Sequence, residues 1–168
     1  MTAILPVPTT LVSRREAVFS PVAGQSSLAR IVRSLAPVAD VIVAAAAPLL
    51  DEVKKSLAQQ GLSATRVCVA DDPGARRDCI SAALRVPGVA DQVLLHDIAW
   101  PLVSPATLDR VVAALRAGSV AALAAQAGQL VGIGHRQRGR RHWGQAVIET
   151  GDTRVRHAVR VGTGRAHQ

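Results

Sequence analysis

Asp40-Val41-Ile42-Val43-Ala44-Ala45 is an apolar run whose one charge stands at its start. Such a run reads as a strand covered on both faces. Before it, Ser26–Leu35 places Leu28, Ile31, Val32 and Leu35 on one helical face, with Arg30 and Arg33 outside it. After it, Leu49–Gln60 reads as a helix stopped by Gly61. Working outward, Ala3–Val7 is expected as a first strand that ends early at its prolines. Thr65–Ala70 is a third strand, Arg77–Val86 a helix ending before Pro87-Gly88, and Gln92–Leu95 a fourth strand. Ser104-Pro105 opens a helix to Arg116, with Ser as N-cap and Pro in the first turn. Ser119–Ala125 is a fifth strand candidate. Strand and helix alternate every 25 residues or so, roughly the period of βα units in a mostly parallel sheet with helices on both faces. The fold class is therefore α/β and Rossmann-like. Ligands in such sheets bind beyond the C-terminal strand ends, which points to the loops at 6–25, 46–48, 70–76 and 96–104.

The chain has 168 residues, 49% of them apolar and 19% charged. A chain of that size buries about 70% of its unfolded surface and needs no covalent staples. Aromatics make up only 2%, which argues against base-stacking surfaces of the RNA-recognition kind. The net charge of +8 is uneven. Eight arginines from Arg136 to Arg165 face only Glu149 and Asp152, while residues 1–135 are near neutral. We read 1–134 as the α/β domain. Residues 135–168 form a basic segment expected as edge strands (145–149 and 154–161) or as a partly disordered tail. Such a tail is either a solvated face or a contact for an anionic partner. Cys68 and Cys79 are too few for a disulfide framework and lack zinc spacing. Met1–Pro8 has no signal-peptide pattern, so a reduced, cytoplasmic protein is expected. Val111–Gly134 carries Arg116 as its only charge, but Arg116-Ala117-Gly118 interrupts it. It is read as helix, stop and strand, with no membrane partner.

The sharpest local feature is Leu94-Leu95-His96-Asp97-Ile98-Ala99-Trp100-Pro101, where an apolar strand delivers an acid to the C-terminal edge of the sheet. A carboxylate placed there suits Mg²⁺ held against substrate phosphates; a turn-capping Asp beside a core His is the alternative. Cys79, near Arg76 and Arg77, is either a thiol of lowered pKa or a small packing residue. Asp71-Asp72 before Pro73 is either a metal pair or turn chemistry. His135 and His142 stand in a basic loop without a companion carboxylate. Gly132-Ile133-Gly134 has Gln137 where a dinucleotide fingerprint needs glycine, and a strand-end turn explains it.

The segment Leu94–Pro101, with Leu102-Val103-Ser104-Pro105 and the helix after it, resembles the HDAARP motif and following helix of the 2-C-methyl-D-erythritol 4-phosphate cytidylyltransferase family. Asp72-Pro73-Gly74-Ala75-Arg76-Arg77-Asp78-Cys79-Ile80-Ser81-Ala82-Ala83-Leu84 is similar to that family's GGxxRxxSVxxGL segment. Phe19–Gly24 and Ala39–Ala45 match its flanking runs in order, so the resemblance covers residues 1 to about 125. It implies a nucleotidyltransferase fold and transfer of CMP from CTP to a polyol phosphate with Mg²⁺. It further implies nucleotide contacts from Arg76, Cys79 and Asp97, metal ligation by Asp97, and a homodimer.

The departures are as informative. The family opens with a Gly-rich loop whose amides cradle the CTP phosphates. Here Leu5–Val18 contains no glycine, and its prolines remove donors. Arg14 and Arg15 are alternative stand-ins for the family's basic catalytic positions. Both motif glycines are replaced by Asp72 and Pro73, the motif Ser by Cys79 and the motif Arg by Trp100, and no TDTxK segment follows. Losing one preorganised donor typically costs about 10²–10³-fold in rate. Three readings therefore stand: a cytidylyltransferase, a non-catalytic relative with a degenerate site, and an anionic-partner binder acting through the tail. Nucleic acid is the least favoured partner, because only phosphate contacts would hold it.

Overall fold

The first strand enters the middle of the sheet, which decides where every loop ends up. The computed structural model describes residues 1–117, 123–126 and 129–135. Strand β1 (Thr2–Val7) is followed by a 3-10 turn (Thr9–Arg14), the short helix α1 (Arg15–Phe19) and α2 (Ser27–Leu35). Then come β2 (Asp40–Ala45), a 3-10 turn (Ala47–Leu49), α3 (Leu50–Gln59), β3 (Arg66–Val69), α4 (Arg76–Arg85), β4 (Gln92–Leu95) and α5 (Pro105–Arg116). Strands β5 (Leu123–Gln126) and β6 (Gln129–His135) complete the sheet, whose order is β3-β2-β1-β4-β6-β5. The first four strands in that order run parallel, while β6 is antiparallel to β4 and to β5. This is the expected α/β architecture. The chain steps from β1 outward to β3, then returns to the other side of β1 for β4. The crevice beyond the ends of β1 and β4 is therefore the topological switch point, where such sheets bind ligands.

Alternation along the central strands divides the interior in two. Ala3, Leu5, Val7, Val41, Val43, Ala45 and Leu94 face one side, where α2, α3 and α5 supply Leu28, Ile31, Val53, Leu108 and Leu115. Ile4, Ile42, Ala44 and Val93 face the other, where α4 supplies Cys79 and Ala83. The caps are as the sequence implies. The Ser26 hydroxyl accepts from the Ala29 amide at 3.2 Å, and the Ser104 hydroxyl accepts from the Thr107 amide at 3.2 Å. Gly61 closes α3 at φ +70°, a conformation that glycine adopts without strain.

Strand β1 runs through Pro6 to Val7, as expected. The ladder shows how it accommodates a proline. Ala3, Leu5 and Val7 turn their polar groups toward β2, as the bond from Ala46 N to the Val7 carbonyl shows, and Ile4 turns its carbonyl to His96 N. Pro6 thus turns its missing N–H to the β4 side, where pairing ends at Ile4–Leu95. Two expectations need correction. Gly132 and Gly134 lie inside β6, paired with Leu95 and Val93, and do not form a turn. His135, expected in a loop, ends that strand. The expected strands 145–149 and 154–161, His142 and the arginines from Arg136 onward lie outside the described residues. Among those described, no helix is long and apolar enough to cross a membrane.

Candidate active site

Three loops meet at the C-terminal edge of the sheet, and the turn between β3 and α4 ties the other two together. Leu95 ends β4, and His96 and Asp97 follow at the edge. One Asp97 oxygen, Oδ1, accepts from the Ala99 amide at 2.9 Å, and the Asp97 carbonyl accepts from the Trp100 amide at 3.1 Å. This is the turn chemistry that Asp supplies. The other oxygen, Oδ2, is held by the Arg76 guanidinium in an ion pair. Arg76 is the first residue of α4, whose N-terminus is fixed by Asp78: its carboxylate accepts from the Ala75 amide at 2.9 Å. The structure therefore brings Arg76 and Asp97 together, and pairs them with each other.

Thr9 makes the second tether. Its amide donates to the Gly74 carbonyl at 2.9 Å, and its hydroxyl is shared between the carbonyls of Pro73 (2.5 Å) and Gly74 (3.0 Å). Gly74 is buried at φ +72°, and a Cβ there would lie 2.6 Å from Thr9 Oγ1 and 2.7 Å from Ala46 Cβ. Leu11 N bonds Pro8 O at 3.0 Å, so this amide too is satisfied within the loop. The loop after β1 therefore lies down as a 3-10 turn, with the Thr9 and Leu11 amides turned to protein oxygens.

Cys79 is fully buried in the second core beneath this turn, with Sγ 3.9 Å from the Gly74 carbonyl. Burial pushes its thiol up to about 11, against the lowered value that its arginine neighbours suggest in the sequence. Arg14 is exposed at the end of the 3-10 turn. Arg15 reaches the Pro48 carbonyl (3.3 Å) and the Glu52 carboxylate (3.4 Å) after β2. The structure does not gather either arginine at the Arg76–Asp97 pair. Trp100 packs half-buried against the larger core. His96 is buried at 2% exposure, and its Nδ1 lacks a hydrogen-bond partner. Desolvation lowers its pKa, so it stays neutral. Asp71 pairs with Arg85 at 2.5 Å.

The arrangement does not fit a divalent cation as it stands. Both Asp97 oxygens are committed, and among the described residues no group of three His, Cys, Asp or Glu side chains could hold a metal. A groove of about 400 Å³, lined by Val32, Val41, Leu62 and Arg66 among others, opens at the opposite, N-terminal edge and is remote from this chemistry. Sequence reasoning singled out Arg76 and Asp97, which the structure pairs, and gave no role to Thr9 and Gly74. Their signal was faint: a Pro-Gly turn, and a Thr in a stretch with no period.

Solved structures share this fold. A nucleotidyl transferase from Methanothermobacter superposes with TM-score 0.52 at 21% identity, over 67% of this chain and 56% of that one. The 4-diphosphocytidyl-2C-methyl-D-erythritol synthase of Anaerococcus prevotii gives 0.56 at 18% identity, over 73% and 52%. The manganese complex of Rv0371c from Mycobacterium tuberculosis gives 0.60 at 19%, over 80% and 69%. The chain thus spans little more than half the length of the first two. The sequence model described as IspD, 2-C-methyl-D-erythritol 4-phosphate cytidylyltransferase, matches residues 9–129, which takes in Thr9, the Gly74 turn, Arg76 and Asp97. By that match over most of its length, the chain belongs to the 2-C-methyl-D-erythritol 4-phosphate cytidylyltransferase family.

Proposed function

We propose that this chain is a family member that keeps the nucleotidyltransferase frame and has lost CMP transfer: a pseudoenzyme whose nucleotide edge is occupied by its own side chains and carbonyls. The observation that carries this reading is the Thr9–Gly74 contact in a loop without glycine, since a phosphate cradle needs free amides and here those of Thr9 and Leu11 are turned to protein carbonyls. The Arg76–Asp97 pair supports it from the other side. Neither the cation nor the carboxylate is free to neutralise a transferring phosphoryl group. The sequence adds the missing motif Arg (Trp100) and the missing TDTxK segment. The protein would then act as a binding or interaction module of the cytoplasm.

The second reading is CMP transfer from CTP to 2-C-methyl-D-erythritol 4-phosphate, the family chemistry. Arg76 and Asp97 at the matching motif positions favour it, as does the manganese held by a similar structure. On that reading a divalent cation would replace Arg76 on Asp97.

Purified protein incubated with CTP, 2-C-methyl-D-erythritol 4-phosphate and Mg²⁺ or Mn²⁺ separates the two. Our reading expects no CDP-polyol above a no-enzyme control. Turnover that disappears in Asp97→Ala overturns it.

A further inference from the structure

Strand β3 is an edge of the sheet, and among the described residues no strand pairs with its outer side. One bond sets the phase of its backbone. Ala70 N donates to the Ala45 carbonyl at 2.8 Å, and Val69 lies opposite Ala45 in the parallel ladder. Arg66, Cys68 and Ala70 therefore turn their main-chain groups to β2, while Val67 and Val69 turn theirs outward. The edge carries no proline, lysine or bulge of the kind that blunts natural edges. Its one charge, Arg66, is drawn aside to Asp40 (2.6 Å) and the Pro87 carbonyl (2.5 Å). Val69 is 49% exposed, and Cys68 beside it is half-buried. Charge along the segment is ordered: Arg66 stands at its start, and Asp71 and Asp72 follow its end.

We propose that β3 is the interface of a two-fold homodimer, in which it pairs antiparallel with β3 of a second copy. The occupant follows from the strand itself. Antiparallel pairing joins residues whose main-chain groups face each other, and one register uses every outward group. It sets Val67 against the partner's Val69, and Val69 against the partner's Val67. Two such pairs close a symmetric interface with four main-chain bonds. The same register brings the Arg66 end of each strand to the acidic Asp71–Asp72 end of the other, so the charges complement. The groove of about 400 Å³ has Thr65 and Arg66 in its wall, and the second chain passes its mouth on leaving β3. Cys68 falls on the two-fold axis, opposite the partner's Cys68 in a non-hydrogen-bonded pair. Cα atoms of such a pair lie about 4.5 Å apart, inside the span of about 4.4–6.8 Å that a disulfide bridges. A four-residue strand offers less area than the roughly 1,200 Å² at which stable interfaces begin, so the dimer is reversible and concentration-dependent. The interface belongs to the α/β body, uses none of residues 136–168, and is independent of whether the crevice turns over CTP.

The test is sedimentation velocity of the full chain in reducing buffer, from about 10 μM to about 1 mM, where an interface of this size associates. Val69→Pro is the deciding variant. The Val69 N–H faces away from β2, so a proline there breaks no bond within the sheet and deletes two of the four across the axis. Val69→Lys, at the same exposed position, keeps the test open where circular dichroism shows Val69→Pro unfolded. The proposal expects a monomer–dimer equilibrium in the wild type, weakened about tenfold or more by either substitution. It also expects diamide, which takes two electrons and two protons from a pair of thiols, to join the wild-type dimer covalently and to leave Cys68→Ser unjoined. A wild type that stays monomeric overturns it, as when residues 136–168 of the same chain cover the edge. So does a dimer that neither Val69 variant weakens, or one that diamide fails to join.

Discussion

Cys79 lies under the Gly74 carbonyl with its thiol held protonated by burial, so at neutral pH it behaves as a small apolar filler. Its pKa rises from 9.0 to about 11 on folding, so the folded state holds the proton more tightly than the unfolded chain does. The stability this provides is complete below pH 9.0 and is lost as the pH climbs through about 11. Urea midpoints taken from pH 8 to pH 11 should fall, and Cys79→Ala should flatten that fall. Thiol labelling of the native protein should mark half-buried Cys68 first, with Cys79 reacting only on unfolding. In sequence, Cys79 stood between a reactive thiol and a packing residue because its two arginine neighbours are visible there. The strand beneath it, which decides the matter, is not. Arg76 and Asp97 were legible as candidates from their motifs. Their pairing was not, because the sequence separation between them carries no distance.

Helices whose apolar positions recur at a helical period were readable nearly to the residue. The face of α2 built from Leu28, Ile31, Val32 and Leu35 is buried as expected, and its cap sits on Ser26. That cap has a double role. Ser26 Oγ accepts from Ala29 N and also lies 3.2 Å from Ser56 Oγ of α3, so it joins two helices in the core. Ser26→Ala should cost about 1–2 kcal/mol, measured by urea unfolding. Ser104→Ala, at the cap of α5, should cost about 1 kcal/mol. The stretch from Pro8 to Phe19 has no period, and its 3-10 turn and short helix went unread. Its shape is set by contacts to the Pro73–Gly74 turn and to Pro48, which are distant in sequence. Pro6 sits inside β1, as read from the sequence, because nothing pairs on its N–H side.

Across the whole molecule, the alternation of elements announced the parallel sheet, and the reversed pair β5–β6 was the part it could not announce. Glycines at 132 and 134 weaken the strand signal of β6, and its partner β4 is remote in sequence. The central strand β1 carries both cores, so Leu5→Ala, at a fully buried position facing α2 and α3, should lower stability by about 2–5 kcal/mol. The same strand order sets the crevice between β1 and β4, and the Arg76–Asp97 pair spans the loops around it. The central claim is that this edge is filled by the chain itself. A calorimetric titration of the full chain with Mg·CTP, beside Asp97→Ala, tests it most directly. Self-occupation predicts no heat of binding at micromolar CTP, and no weaker binding in Asp97→Ala at higher concentrations. Micromolar binding that requires Mg²⁺ and vanishes in Asp97→Ala would contradict it.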